Sequence, residues 1–120
     1  MSKKIYVDAF FDQYEGLVEQ MIAVFPEDSD WTFYRTGISM FRRTNPMFLV
    51  TKTWECVAPY ETEISNRDET FFLNYKVTEG SYVDTVSKLR DMWQQLTTHN
   101  RSIVWDYITN ITYLAKKCAA

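Results

Sequence analysis

Glycine and proline are scarce, at 3 each in 120 residues. That excludes a turn-rich β-sandwich and argues against a disordered chain. Cysteine is nearly as rare. Cys56 and Cys118 are too few and too far apart for a metal framework, and they read as free thiols in a reducing, intracellular compartment. The single histidine, His99, has no sequence feature beside it to supply the acid and nucleophile that a general base needs. Gly16, Gly37 and Gly80 are scattered, so no phosphate-cradling loop is present. There is no run of about 20 apolar residues to span a membrane. Lys3 and Lys4 lead into an amphipathic pattern, not the apolar stretch of a signal peptide.

Aromatic side chains are what the sequence has in excess: 4 Trp, 8 Tyr and 8 Phe. A buried aromatic removes roughly 150–250 Å² from water, so about a dozen can close the core of a domain this size. Most recur at helical spacing. The expected fold is therefore all-α, a compact bundle of five to seven helices forming one domain over residues 1–120, with no cofactor required.

The first helix is expected over about residues 3–25, with Val7, Phe10, Tyr14, Leu17, Met21 and Val24 as its apolar stripe and Pro26 as its stop. Ser29 or Asp30 is placed to cap a second helix over about residues 31–43. Its inner face is read as Trp31, Tyr34, Ile38 and Phe41, with Phe33 and Met40 beside them. Gly37 in mid-helix suggests close approach of another helix. Asn45-Pro46 starts a third helix, with Asn45 as cap and Met47, Val50, Trp54 and Val57 inward, ending at Pro59. A short fourth helix over about residues 60–66 precedes Phe71-Phe72-Leu73, read as a single turn plugging the core. Lys76 to Gly80 is the most linker-like stretch. Ser81-x-x-Asp84 then opens a helix carrying Tyr82, Val86, Leu89, Trp93 and Leu96. Thr97 or Thr98 caps the last helix, which runs to about residue 117 and ends on Lys116 and Lys117. Trp54, Trp93 and Trp105 are expected to be core anchors.

Charge is unevenly spread. Residues 1–30 carry a net −5, residues 31–60 a net +3, residues 61–80 a net −3 and residues 81–120 a net +2. The candidate binding residues are Arg35, Arg42, Arg43 and Lys52. Arg35 and Arg42 lie two turns apart on one helix face, and basic groups interleaved with Phe33, Tyr34 and Phe48 suit phosphate contact and base stacking. Pairing of these cations with the acidic first helix is the plainer alternative. Asp68 and Glu69 are adjacent carboxylates whose directions diverge on a helix, so capping and ion pairing are expected of them before acid–base chemistry. Phe33, Phe48, Phe71 and Tyr113 fall off the main stripes, and exposed aromatics favour a partner interface.

At Asn45-Pro46, Pro59-Tyr60, Ile64 and Asn66-Arg67-Asp68-Glu69-x-Phe71-Phe72-Leu73 the chain resembles small proteins of nucleocytoplasmic large DNA viruses that infect algae and protists. Lys88-Leu89, Trp93, Leu96, Val104-Trp105, Tyr107 and Ile111-x-x-Leu114 resemble the closing helix pair of the same group. The resemblance implies a helical fold and an intracellular viral setting, in host cytoplasm or nucleus or packaged in the virion. It implies no catalytic residue. The expected function is accordingly a non-enzymatic protein-interaction module with a host or viral protein as partner. A homo-oligomer is a further option. The rival is a nucleic-acid-binding accessory protein using the Arg/Lys cluster; a small enzyme centred on Asp68 and Glu69 ranks below both.

Overall fold

The computed structural model describes residues 3–75 and 85–119, and these are helical with short connections and no strand. In order, the helices are α1 (Lys3–Val24), α2 (Ser29–Thr44), α3 (Pro46–Val57), α4 (Glu61–Ser65), α5 (Thr70–Asn74), α6 (Thr85–Met92) and α7 (Thr98–Ala119). Short 3₁₀ turns at Ala58–Tyr60 and Trp93–Gln95 lead into α4 and continue α6. The architecture is the all-α bundle that the aromatic periodicity predicts. The linker-like stretch at Lys76 to Gly80, the Ser81 cap and Tyr82 lie outside the described residues.

α1 is the central strut. It packs along both α7 and α2, and α3 closes against α7. Of its expected stripe Phe10, Tyr14, Leu17 and Met21 are buried and Val7 and Val24 partly so, with Phe11 and Val18 buried beside them. Tyr107 of α7 packs onto Gly16 of α1, where a Cβ would lie 2.8 Å from Tyr107 Cε1. A close approach of the kind expected at Gly37 is thus found at Gly16. The buried Tyr14 hydroxyl and Thr85 Oγ1 share a 2.8 Å hydrogen bond that ties α1 to α6.

The helix ends correct several expectations. Asp28, not Ser29 or Asp30, caps α2: its Oδ1 accepts the Asp30 amide at 3.1 Å. Lys88 Nζ lies 2.7 Å from Asp28 and 2.9 Å from Asp30, pinning this turn to α6. The Lys88 hydrogen bond holds the Asp28 carboxyl below its ordinary pKa. Desolvation opposes the charge on Lys88, but the bonds to Asp28 and Asp30 outweigh it and raise its pKa. Asn45 makes no side-chain cap. Its amide instead donates to Phe41 O at 2.9 Å, so it ends α2 as it begins α3. Thr97 Oγ1 accepts the Asn100 amide at 3.1 Å and is the cap of α7.

A four-residue joint reverses the chain between α4 and α5. Arg67 adopts φ 53°, the left-handed conformation usually given to glycine. Asp68 N donates to Glu63 O at 2.9 Å and Arg67 N to Ile64 O at 3.1 Å, the paired bonds of a Schellman closure. The left-handed backbone costs a non-glycine residue about 1–2 kcal/mol. It also brings the Arg67 guanidinium onto Asp106 of α7. Asp68 at once caps the next helix, accepting the Thr70 amide at 2.9 Å and the Thr70 hydroxyl at 2.8 Å. The Thr70 backbone bond keeps the Asp68 carboxyl below its ordinary pKa. Asp68 is therefore an exposed cap and not a member of a buried pair.

α5 drives Phe71 and Phe72 into the core and leaves Leu73 outside. Their rings join a continuous cluster: Phe72 lies 4.5 Å from Trp93 and 5.3 Å from Trp105, and Trp93 meets Trp105 edge-on at 5.6 Å. Phe71, expected off the stripes, is fully buried. The deepest tryptophan is Trp31, whose indole donates to Met92 Sδ at 3.3 Å. Trp54 corrects the list of anchors, being only half-buried beneath Lys116. The inner stripe of α3 is Leu49, Val50 and Val57, with Met47 exposed.

Two predictions follow from this packing. Trp31→Ala and Trp105→Ala should each cost about 3–5 kcal/mol, and Trp54→Ala markedly less, as read by chemical denaturation. Equal losses at all three would refute the burial pattern. Asp28 and Asp68 have depressed folded-state pKa values. Their contribution is complete above the ordinary carboxylate value of about 3.9 and is lost as pH falls through the depressed values. Acid unfolding followed by circular dichroism should therefore be shallower below that value in Asp28→Asn than in the parent.

Candidate functional site

The four basic residues singled out in the sequence do not form a free positive patch. α2 runs beside α1, and its Arg35 and Arg42 both turn toward the acidic side of that helix. Arg35 pairs with Glu19 at 3.1 Å. Arg42 forks between Asp12 at 3.0 Å and Glu15 at 3.2 Å, also donating to the Asp8 carbonyl at 3.4 Å. Its guanidinium lies 5.7 Å from the Phe11 ring centroid. Desolvation works against that charge, but the two carboxylates outweigh it and raise the Arg42 pKa. Lys52 pairs within its own helix, with Glu55 at 3.5 Å. Arg43 alone among the four has no carboxylate partner among the described residues. Its Nε donates to Ser39 O one turn back.

This pairing fixes the rotation of α2 about its axis. Trp31 and Ile38 point into the core, and Arg35 and Arg42 point along α1. The remaining face is left to solvent. On it Phe33 is 68% exposed and Met40 44% exposed, with Met47 at the start of α3 also outside. Phe33 and Met40 therefore do not line the inner face, as the sequence reading has them. They stand seven residues apart, two turns of helix, on one outward strip. Two of its polar members bond within α2: Thr36 Oγ1 donates to Thr32 O at 3.1 Å and Thr44 Oγ1 to Met40 O at 2.8 Å. What the strip still offers a partner is apolar surface edged by Arg43. Phe48, by contrast, is half-buried and stacked on Phe41 at 5.2 Å.

The other candidates are engaged structurally. Glu69 accepts the Trp93 indole N–H and lies 3.8 Å from Arg101. Arg101 stacks over Trp93 at 5.5 Å and donates to Trp93 O at 3.1 Å. Asp68 points instead to Thr70, so the two carboxylates diverge as their adjacency predicts. His99 is exposed in the first turn of α7. Among the described residues no group of three His, Cys, Asp or Glu side chains is placed to hold a metal ion, and no helix is long and apolar enough to cross a membrane. A groove of about 460 Å³ lies between α4 and α7, walled by Ile64, Thr109, Thr112 and Tyr113. Lys116 bridges it to Glu61 at 2.8 Å. Sequence reasoning missed this groove, because periodicity along α4 and α7 does not show that the two helices pack side by side.

The two neighbouring arginines of α2 should respond differently to charge reversal. Arg42→Glu sets a third carboxylate beside Asp12 and Glu15 and should destabilise the fold by about 1–3 kcal/mol. Arg43→Glu should leave the melting temperature within about a degree or two. Thermal melts at low and high salt check this. An Arg42→Glu variant as stable as the parent would mean that the α1–α2 pairing is idle.

The sequence matches no protein-family model and no curated protein, and the fold matches no solved structure.

Proposed function

We infer that the protein is a non-enzymatic protein-interaction module whose working surface is the outward strip of α2. The observation that carries this reading is the exposure of Phe33 and Met40 on one face of α2, with Met47 exposed at the start of the next helix. Large apolar side chains held out by a rigid helix favour a protein partner. Methionine adds adaptability, since its flexible thioether fits an irregular counter-surface. Phe33 is the natural anchor, and Arg43 supplies a charged rim that orients a partner.

The rival nucleic-acid reading is weakened by the ion pairs of Arg35, Arg42 and Lys52. A phosphate would have to displace carboxylates already in place, and the flanking surface of α1 is acidic. The resemblance to proteins of large DNA viruses supports an infected cell as the setting and a host or viral protein as the partner. The engagement of Asp68 and Glu69 as cap and indole acceptor supports a role without chemistry.

A salt series separates the two binding readings. Four neutralised phosphates would lose roughly two decades of affinity between about 50 and 200 mM salt. The module reading predicts no DNA or RNA binding, single- or double-stranded, at the higher salt. It also predicts protein partners that stay bound there and are lost in a Phe33→Glu, Met40→Glu variant. Tight nucleic-acid binding that persists at the higher salt and vanishes in Arg43→Glu would overturn it.

A further inference from the structure

The groove between α4 and α7 is walled by two hydroxyl groups with nothing to bond. Thr109 and Thr112 both line it. Each has a side-chain oxygen that is shut off from solvent and has no hydrogen-bond partner among the described residues. Thr112 as a whole is only 5% exposed. A helical threonine commonly settles its hydroxyl on the carbonyl one turn back. Thr36 and Thr44 of α2 do so; the two threonines of the groove do not. An unbonded buried hydroxyl has given up its hydration for nothing, and native structures keep few of them. Two on one wall of a cleft suit a ligand that brings a hydrogen-bonding group.

The rest of the lining indicates the chemistry of that ligand. α4 supplies Ile64 and α7 the Tyr113 ring, so the body of the groove is largely apolar. Its end carries charge. Lys116 stands one turn beyond Thr112, and Lys117 one turn beyond Tyr113. Lys116 is paired with Glu61 at 2.8 Å. Lys117 has no carboxylate partner among the described residues and lies over the Tyr113 ring at 5.6 Å. Two lysines against one glutamate leave a single positive charge. From Thr109 to Lys117 α7 rises about 12 Å. The groove holds about 460 Å³, within the range of small-molecule sites.

We propose that this groove binds a small amphipathic carboxylate, its head between the Thr112 hydroxyl and Lys117 and its apolar tail along Ile64 and Tyr113. A turn about χ1 exchanges a threonine hydroxyl with its methyl, and a helix admits two threonine rotamers. The hydroxyl is therefore offered to the groove without backbone movement. The flexible stem of Lys117 lets its ammonium follow the head. One excess positive charge matches a carboxylate better than a doubly charged phosphate, and Lys116 screens the head from Glu61. The site shares no residue with the outward strip of α2.

Octanoate is the probe. A backbone-amide NMR titration to about 20 mM should shift Thr109, Thr112, Tyr113 and Lys117 saturably, with a dissociation constant on the order of 1 mM for so small a ligand. Lys117→Gln should weaken binding about threefold. Glu61→Gln should tighten it by a similar factor, because Lys116 is then free for the head. Thr112→Val keeps the shape of the side chain and deletes the hydroxyl. It should weaken octanoate binding about tenfold, while the melting temperature holds or rises because an unbonded hydroxyl has left the interior. No saturable shift overturns the proposal, as do shifts centred on Phe33 and Met40 in place of the groove. A Thr112→Val variant that binds like the parent also overturns it. So does one that melts well below the parent, since its hydroxyl is then engaged within the fold. Octyl phosphate binding more tightly than octanoate overturns the assignment of a carboxylate.

Discussion

The rotation of α2 about its own axis is the constraint on which the surface of this protein depends. Two kinds of contact set it. Trp31 and Ile38 are fully buried, which aims one side of the helix at the core. Arg35 and Arg42 pair with Glu19, Asp12 and Glu15, which aims an adjacent side along α1. A helix offers about 100° per residue, so with these sides assigned the rest must face solvent. That is why Phe33 and Met40 are outside. The same ion pairs occupy the cations that a nucleic acid would need. One arrangement thus pairs these charges along α1 and leaves apolar side chains on the outward face of α2.

The α5–α7 region is held by a cluster of aromatic rings. The Phe71, Phe72, Trp93 and Trp105 rings lock α5, the turn after α6, and α7 together. Around them the polar groups are spent on structure. Glu69 holds the Trp93 indole, Arg101 covers its face, and Arg67 reaches Asp106 across the joint. The left-handed backbone at Arg67 is stored strain, but its bonds to the helix end and to α7 account for it without recourse to function.

The helical fold and the stripes of α1 and α7 were legible because period-3.6 aromatic spacing over more than twenty residues has few alternative readings. The short elements were less so. Trp54 sits on the stripe of α3, yet it lies only half-buried beneath Lys116, a contact set by tertiary placement. Asn45 has the residue type of a cap, but its amide closes the preceding helix, so its backbone geometry serves two helices at once. The candidate arginines were visible as a cluster. Their partners on α1 were not, since spacing along one helix says nothing of the rotation of its neighbour. Phe33 stood out as an off-stripe aromatic. Met40 did not, because it flanks Phe41, and only the observed rotation of α2 separates the two.

The account's central claim is that the outward strip of α2 is the working surface of the protein. Backbone amide and methionine methyl NMR spectra recorded with and without a captured protein partner test it most directly, because they report contact residue by residue without any substitution. The account predicts shifts centred on Phe33, Met40 and Arg43, with the aromatic cluster of α5 and α7 unmoved. Shifts confined to the α4–α7 groove, or spectra that respond only to added nucleic acid, would contradict it.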